Sequence, residues 1–256
     1  MTAQARALAR LRARLMAHPR RPAGRPGLRA EDEADVALSR AARVARHSDE
    51  WVRDRLHALR NQAPLRAQRV PLTRMDGWVI DPVTGNITHR GGRFFTILGV
   101  TARHRREAGD LHWDQPCIDQ PEIGILGILA ARFDGLLHFC LKAKEEPGNI
   151  HGVQLSPTVQ ATYSNYTGGH GGRRPLLVDY FLHPPADRVL VARLQTEDGG
   201  RFLYKSNRNL IVRAEDGGPP DLPDRFLWLT LRQICDLMNH DNVINACTRS
   251  VLSALI

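Results

Sequence analysis

The hydrophobic and polar positions are most sharply patterned between residues 136 and 166. An apolar run, LLHFCL at 136–141, predicts a buried strand that ends in the charged segment KAKEE. The triplet Pro147-Gly148-Asn149 predicts a turn, because proline fixes φ while glycine and asparagine tolerate positive φ. From 153 to 162, apolar residues alternate with Gln, Ser and Thr, which predicts a strand with one apolar and one hydrogen-bonding face. Such a face, met by two lysines, suits a polyhydroxylated, anionic ligand.

The rest of the pattern predicts helices towards both ends of the chain and strands between them. Acidic residues followed by an apolar stripe predict one helix over 31–60. Two strands joined by a turn are predicted within 70–100. The further predicted elements are strands at 176–183 and 188–195, a helix at 228–238 with Thr230 as its N-terminal cap, and a last helix at 243–255.

Two glycine-rich segments join the later elements. Asp198-Gly199-Gly200 predicts a hairpin turn that brings Gln195, Glu197 and Arg201 close together. The segment TGGHGGRRP at 167–175 places glycines beside arginines, a combination that can cradle phosphate. It has neither a P-loop pattern nor a strand–GxGxxG–helix pattern, so a mobile lid or plain surface loop is favoured over a phosphate nest.

Length and composition predict one core-bearing domain with a short extension. The chain has 256 residues, of which 42% are hydrophobic, and we place the domain at 31–256. No apolar run approaches the roughly 18 residues of a membrane span, and no signal peptide is evident. The four cysteines lack CxxC spacing, which is typical of free thiols rather than disulfides or a zinc site. We therefore expect a cytoplasmic protein.

The net charge of +9 is concentrated in the first 30 residues, which hold eight arginines and no acidic residue. The remaining residues carry 28 basic and 27 acidic groups, so the body of the protein is not expected to bind nucleic acid. Residues 1–30 are expected to be a disordered, solvated extension. An arginine arm that meets a polyphosphate or nucleic acid is the alternative.

Eight segments of the chain resemble one protein family, the NDP-hexose 2,3-dehydratases of deoxysugar biosynthesis. They are GWVIDPVTGNITHRGGRFF, HWDQPCI, AKEEPGN, SPTVQATYSNY, QTEDGGRF, SNRNLIV, WLTLRQI and NACTRSVLSAL. Together they cover about residues 65–256 in the family's order. The resemblance implies an α+β fold with a Nudix-like mixed β-sheet flanked by helices.

The resemblance also implies an activity. Members of the family eliminate the C2 hydroxyl of an NDP-4-keto-6-deoxyhexose, usually the dTDP sugar. Such an elimination needs no redox cofactor and no metal in principle, so neither is expected. The product, an NDP-3,4-diketo-2,6-dideoxyhexose, would pass to a 3-ketoreductase or an aminotransferase. The family usually carries two tandem copies of this module, and this chain carries one. A homodimer is the preferred interpretation, and a catalytically silent nucleotide-sugar-binding subunit is the alternative.

Such an elimination needs a base at C3, a donor to the C4 oxyanion and an acid for the leaving hydroxyl. The resemblance makes Lys144 the first choice for the oxyanion and phosphates, and Lys142 the second. The candidate bases and acids are Glu145, Glu197, His138 and Tyr166. The candidate substrate contacts are Trp78, Lys142, Thr158, Val159, Gln160, Thr162, Ser164, Asn165, Gln195, Thr196, Arg201 and Asn207. The plain alternatives are a core position for His138 or Trp78, and a surface position for any single carboxylate or strand-end lysine.

Overall fold

The computed structural model describes residues 28–92, 94–167 and 174–255, together with Arg6, Arg10 and Ala13. The helices of these residues are α1 (Ala30–Ala41), α2 (Asp49–Asn61), α3 (Tyr163–Tyr166), α4 (Asp179–Leu182), α5 (Leu231–Met238) and α6 (Ala246–Leu252). The strands are β1 (Trp78–Ile80), β2 (Ile87–His89), β3 (Thr96–His104), β4 (Leu111–Asp119), β5 (Gly124–Phe133), β6 (Leu136–Glu145), β7 (Val153–Pro157), β8 (Val159–Ala161), β9 (Val189–Thr196), β10 (Ser206–Arg213) and β11 (Phe226–Leu229). None of the described helices is long and apolar enough to cross a membrane.

The strands form two sheets. A four-stranded antiparallel sheet has the order β1-β2-β3-β4, and a seven-stranded sheet follows the order β11-β6-β5-β10-β9, with β7 on β6 and β8 on β5. The larger sheet is mixed because β10 runs parallel to β5 while its other pairs are antiparallel. The predicted α+β class and mixed sheet are confirmed, and the strands between residues 78 and 119 form the separate four-stranded sheet.

The larger sheet carries the core on both faces. One face packs under α1, α2, α5 and α6, and the other packs against α4. The second contact is close at Gly127, where a Cβ atom would lie 2.6 Å from the Phe181 ring. The apolar run at 136–141 is the buried part of β6, as predicted.

Thr158 lies where β5 and β6 separate. The two strands pair between Leu129↔Cys140 and Phe133↔Leu136, after which β8 pairs with β5 and β7 pairs with β6. The Thr158 hydroxyl accepts from the Leu129 N–H at 2.9 Å and donates to the Cys140 carbonyl at 2.5 Å. It therefore supplies hydrogen bonds that the diverging backbones cannot make to each other. The single strand predicted over 153–162 is two short strands divided at this residue.

The helix predicted over 31–60 is wrong in its continuity, since α1 and α2 are separated by residues 42–48. The Ser48 hydroxyl caps α2 by accepting from the Trp51 N–H at 3.1 Å. Two acidic residues of α1 are buried in ion pairs: Asp32 pairs with Arg213 at 2.6 Å and Asp35 with Arg132 at 2.5 Å. These ion pairs anchor α1 to the sheet.

Other predicted elements also changed type or length. The strand predicted at 176–183 is wrong: this segment forms a turn and α4, because Val178 and Phe181 bury one helical face. The predicted helix at 228–238 begins only after β11, whose Trp228 and Leu229 pair with β6. Its N-terminal cap is confirmed at Thr230, in a capping box with Gln233.

Boundaries shifted as well. The hairpin within 70–100 keeps only three residues in each of β1 and β2, with β3 following, and the last helix spans Ala246–Leu252. The loop prediction at 167–175 falls mainly on residues outside those described, as does the predicted extension at 1–30.

Candidate active site

One end of the larger sheet gathers most of the polar residues selected from the sequence. The starts of β5 and β10 meet the ends of β8 and β9 there, as the pairs Asn207↔Gly124, Ile125↔Ala161 and Ser206↔Thr196 show. The end of β6 lies at the same side, because β6 runs antiparallel to β5. Residues distant in sequence are thus brought to one sheet end.

A carboxylate and an amide form the first element of this site. The Asn207 amide nitrogen donates to Glu197 Oε1 at 2.5 Å, and its oxygen accepts from the Gly124 N–H at 3.1 Å. The backbone N–H fixes the orientation of the amide, so only its NH₂ group faces the carboxylate. A Cβ atom at Gly124 would lie 2.8 Å from the Asn207 oxygen, so this contact requires glycine.

A buried lysine that sequence reasoning missed lies beside this pair. Lys205 is 5% exposed, and its ammonium donates to the backbone carbonyl of Glu122. Burial lowers the pKa of Lys205, while the negative charges of Glu197 and Glu122 oppose that shift. A single lysine in a loop has no periodicity, and only the neighbouring SNRNLIV motif marked this region.

Glu122 connects this lysine to α3. Its carboxylate accepts from the backbone N–H and the hydroxyl of Ser164 at 3.1 and 2.9 Å, and that hydroxyl lies 3.1 Å from the Thr162 hydroxyl. Burial is the main cause that raises the pKa of Tyr166, and the charge of Glu122 acts in the same direction. Thr162, Ser164 and Tyr166 therefore lie near Glu122, whereas Asn165 is exposed.

Lys144 and Glu146 form a charged pair at the same end of the sheet. The Lys144 ammonium lies 2.7 Å from Glu146 Oε1, which also accepts from the Gln160 amide at 3.4 Å. The Gln160 carbonyl oxygen is buried and has no hydrogen-bond partner in the part of the chain that the structure describes. The sequence analysis selected Glu145 from the AKEEPGN motif, but the Glu145 carboxylate instead accepts from the Leu65 N–H at 2.8 Å.

Cys247 lies in the first turn of α6. Burial raises the pKa of its thiol to about 11, the charges of Glu197 and Glu146 act in the same direction, and those of Lys144 and Arg249 oppose it. The Glu197 and Glu146 carboxylates are therefore both near the start of α6. Sequence reasoning missed Cys247, because isolated cysteines without metal-ligand spacing carry no signal of their own.

The Gln195 side chain makes hydrogen bonds within the protein. Its carbonyl oxygen accepts from the amide of Asn209 and from the Ser250 hydroxyl, the latter at 3.0 Å. This arrangement ties β9 and β10 to α6 beneath the site. The neighbouring Thr196 is exposed at the strand end.

Several predicted residues lie elsewhere. His138 is buried at the opposite end of β6, where its Nδ1 lies 2.8 Å from the Leu136 carbonyl and its Nε2 accepts from the Arg46 N–H at 3.1 Å. It borders a cleft of about 590 Å³ beside the β5–β6 turn. His138 is therefore a hydrogen-bonded core histidine, the alternative that the sequence analysis left open.

The remaining predicted contacts are interior or peripheral. Thr158, 2% exposed, and Val159 lie inside the sheet, so no surface there presents their side chains to a ligand. Lys142 lies over the Phe226 ring at 5.6 Å, and Trp78 packs with the Phe95 ring in the smaller sheet. Arg201 is 78% exposed and lies 3.3 Å from the Asp198 carboxylate.

No group of three His, Cys, Asp or Glu side chains within the described ranges is arranged as a metal site.

The chain is similar in sequence to one known protein family. The profile of the family NDP-hexose 2,3-dehydratase matches residues 49–255. A dTDP-4-dehydro-6-deoxy-alpha-D-glucopyranose 2,3-dehydratase of Amycolatopsis orientalis is 51% identical over 209 residues, which cover 80% of this chain and 43% of that protein. Proteins of the same name from Saccharopolyspora spinosa and Streptomyces violaceoruber are 46% and 45% identical, over 80% and 74% of this chain and 41% and 42% of their own lengths.

The chain thus spans less than half the length of the curated relatives that it matches. The family profile nevertheless covers the Glu197–Asn207 and Lys144–Glu146 pairs, the buried lysine and the first turn of α6. With a profile match over most of its length and identities of 45–51%, the chain belongs to the NDP-hexose 2,3-dehydratase family.

Proposed function

We propose that this module catalyses the elimination of the C2 hydroxyl from an NDP-4-keto-6-deoxyhexose, with dTDP as the nucleotide, in deoxysugar biosynthesis. The product is the NDP-3,4-diketo-2,6-dideoxyhexose. Support comes from the family and from the names of the relatives. The observation that carries the proposal is the Glu197 carboxylate, held on one oxygen by Asn207 beside the buried Lys205.

Glu197 is the proposed base at C3. Asn207 occupies its Oε1 atom, and Oε2 makes no hydrogen bond to a described residue, so a lone pair remains for the proton. The C4 ketone acidifies the C3–H bond, and the resulting enolate expels the C2 hydroxyl as water. The enol that remains tautomerises to the 3-ketone. Of the other candidates, Glu145 is bonded to the Leu65 N–H and His138 lies at the far end of the sheet.

Tyr166 is the proposed acid for the leaving hydroxyl. Burial raises the pKa of its phenol, which therefore stays protonated at neutral pH and able to donate. Lys144, Glu146 and Gln160 form the opposite side of the site and are proposed to bind the sugar and the diphosphate. The unpartnered, buried Gln160 oxygen supports this role, because a buried polar atom without a hydrogen bond is costly unless a ligand satisfies it.

We further propose a Nudix-like fold and a homodimer for this module. The mixed sheet packed between layers of helices supports the first. For the second, the matched region accounts for 43% of the Amycolatopsis relative, which leaves length for another module of this size. A cytoplasmic location beside a 3-ketoreductase or aminotransferase that consumes the reactive diketone completes the proposal.

The test is incubation of the purified protein with dTDP-4-keto-6-deoxyglucose in deuterated water, with a 3-ketoreductase as trap. Mass spectrometry is expected to show a 2-deoxy sugar carrying deuterium at C2. Glu197→Gln is expected to abolish the trapped product, whereas Glu215→Gln, the same change at an exposed carboxylate, retains it. Thermal stabilisation by the sugar nucleotide without turnover would contradict the lyase and support a binding subunit.

A further inference from the structure

We propose that Lys205 supplies the ammonium group that holds the C4 oxygen of the sugar as negative charge develops on it. The role deepens the lyase proposed above and rests on it. Lys205 lies in the loop that joins β9 to β10, immediately before Ser206. No motif in the sequence pointed to this residue, and its candidacy comes from its burial, its hydrogen bonding and its position beside Glu197.

A lysine this deeply buried needs a compensating interaction. Removing an ammonium from water is costly unless it is paired or fully hydrogen-bonded. Within the described ranges, no carboxylate lies within ion-pairing distance of the Lys205 ammonium, and its one hydrogen bond goes to the uncharged carbonyl of Glu122. An ammonium has three donors, so two remain for a ligand oxygen. This arrangement is expected of a cationic group that binds an anionic ligand.

Lys144, the first choice from the sequence, is less suited to the same task. Its ammonium already lies 2.7 Å from the Glu146 carboxylate, and its side chain is partly exposed. An incoming oxyanion would have to compete with that carboxylate. The charge of Lys205, by contrast, is not neutralised by a direct partner. Sugar binding is therefore the better assignment for Lys144, and oxyanion stabilisation for Lys205.

The position of Lys205 relative to the base fits the substrate. The Glu197 backbone N–H donates to the Lys205 carbonyl at 3.0 Å, and Asn207, two residues after Lys205, holds the Glu197 carboxylate. The charge of Glu197 acts on the Lys205 ammonium although the two groups are not paired. The acidic hydrogen is on C3 and the ketone oxygen on C4, so the base and the donor must be close yet unbonded.

The residue type at position 205 supports the same assignment. The chain carries three lysines among its 36 basic residues, at positions 142, 144 and 205, and the other 33 are arginines. Arginine presents a fixed, planar fork, whereas the lysine ammonium is a compact donor that follows a single oxygen atom. A lysine at position 205, in a chain whose basic residues are mostly arginines, suits a single developing oxyanion.

The electron movements balance without a further reactant. Glu197 takes the C3 proton, the C–H pair forms the C3–C4 double bond, and the carbonyl pair moves to the C4 oxygen beside Lys205. The pair on the C4 oxygen then re-forms the carbonyl, and the C3–C4 pair moves to form the C2–C3 double bond. The C2 hydroxyl leaves as water with a proton from Tyr166. Lys205 keeps its protons throughout and needs no resetting. Burial lowers the pKa of its ammonium, which strengthens the N–H groups as donors.

The experiment compares Lys205→Met, Lys205→Ala and Lys144→Met with the wild type in the trapping assay, alongside calorimetric binding of dTDP and thermal unfolding. Lys205→Met keeps the length of the side chain without its charge. It is expected to reduce kcat by about 10²–10³-fold while the Kd for dTDP stays within about threefold, since one oxyanion donor is lost. Lys144→Met is expected to raise KM more than it lowers kcat. Added methylamine is expected to restore part of the turnover of Lys205→Ala but none of Glu197→Gln.

Three outcomes would overturn the inference. Lys205→Met with kcat within about threefold of wild type excludes an oxyanion role. Lost turnover with lost dTDP binding, a lowered melting temperature and no amine rescue assigns a structural role instead. An inactive wild-type protein contradicts the proposed lyase, and the role of Lys205 falls with it. Activity in both the wild type and Lys205→Met contradicts only the role of Lys205, so the two failures are distinguishable.

Discussion

Asn207 and Glu197 are joined by a hydrogen bond of 2.5 Å from the amide nitrogen of one to the carboxylate of the other, at the start of β10 and just beyond the end of β9. The amide is oriented by the Gly124 N–H, so the strand backbone fixes the donor that faces the carboxylate. Asn207 was selected from the sequence as a substrate contact, and the structure gives it a direct partner in Glu197. If Glu197 is the base proposed above, this contact makes Asn207 the residue that positions it.

Asn207→Asp is expected to reduce kcat by about 10²-fold, because the carboxylate cannot donate to Glu197 and repels its charge. Measurement of kcat with the trapping assay checks this effect. Asn61→Asp, on the exposed end of α2, is the control and should match the wild type.

Gly124→Ala is expected to lower turnover without a change in the residues that touch substrate. The new Cβ atom would lie 2.8 Å from the Asn207 oxygen and 3.1 Å from the Ala161 carbonyl, so Asn207 must move and Glu197 with it. Gly99→Ala, at a position in β3 with nothing within 4 Å, is the matched control. Equal turnover in the two variants would show that the position of Asn207 does not control Glu197.

Thr158→Val is expected to lower the free energy of unfolding by about 2–3 kcal/mol, because the Leu129 N–H and the Cys140 carbonyl lose a buried partner. Thr158→Ser keeps the hydroxyl and is expected to cost less. Urea unfolding of the two variants measures the difference. Unchanged stability combined with lost dTDP binding would instead return Thr158 to the substrate contacts predicted from its sequence motif.

His138 is expected to make stability depend on pH. Burial lowers its pKa below the ordinary value of about 6.5, so the folded protein resists a proton that the unfolded chain accepts. Above that value the residue is neutral in both states and has no effect. As pH falls below it, stability decreases until the lowered pKa of the folded state is reached.

His138→Gln is expected to flatten this dependence between pH 7 and about 5.5 in urea unfolding measurements. His47 also contributes to the pH dependence of stability, because burial lowers the pKa of that residue as well. His57→Gln, on the exposed side of α2, is the control and should leave the slope unchanged. A slope in His138→Gln equal to that of the wild type would assign the effect to other groups.

Arg213→Met is expected to destabilise the fold by about 3–5 kcal/mol, because it removes a partner from Asp32, which is 2% exposed. The double variant Asp32→Leu with Arg213→Met removes both charges and is expected to recover much of that loss. Thermal unfolding of the single and double variants tests the pair. A double variant less stable than Arg213→Met would contradict this account of how α1 is anchored.

Local signals in the sequence determined several features of this protein. The apolar run at 136–141, interrupted only by His138, specified the buried part of β6, and Thr230 marked the N-terminal cap of α5. Each signal lies within one element, where hydrophobic burial or a capping hydrogen bond acts over a few residues. The motifs from GWVID to NACTR likewise determined the family, because each is an unbroken stretch of sequence that can be recognised without knowledge of the fold.

Tertiary structure alone decided which polar residues meet. Glu197, Glu122 and Lys205 share one site because β10 runs parallel to β5 and β9 antiparallel to β10, a pairing that no local pattern encodes. The same holds for the break between α1 and α2, where the Arg46 N–H donates to His138, 92 residues away. Burial and hydrogen bonding between distant segments are properties of the folded chain, so these relationships exist only once the sheet has assembled.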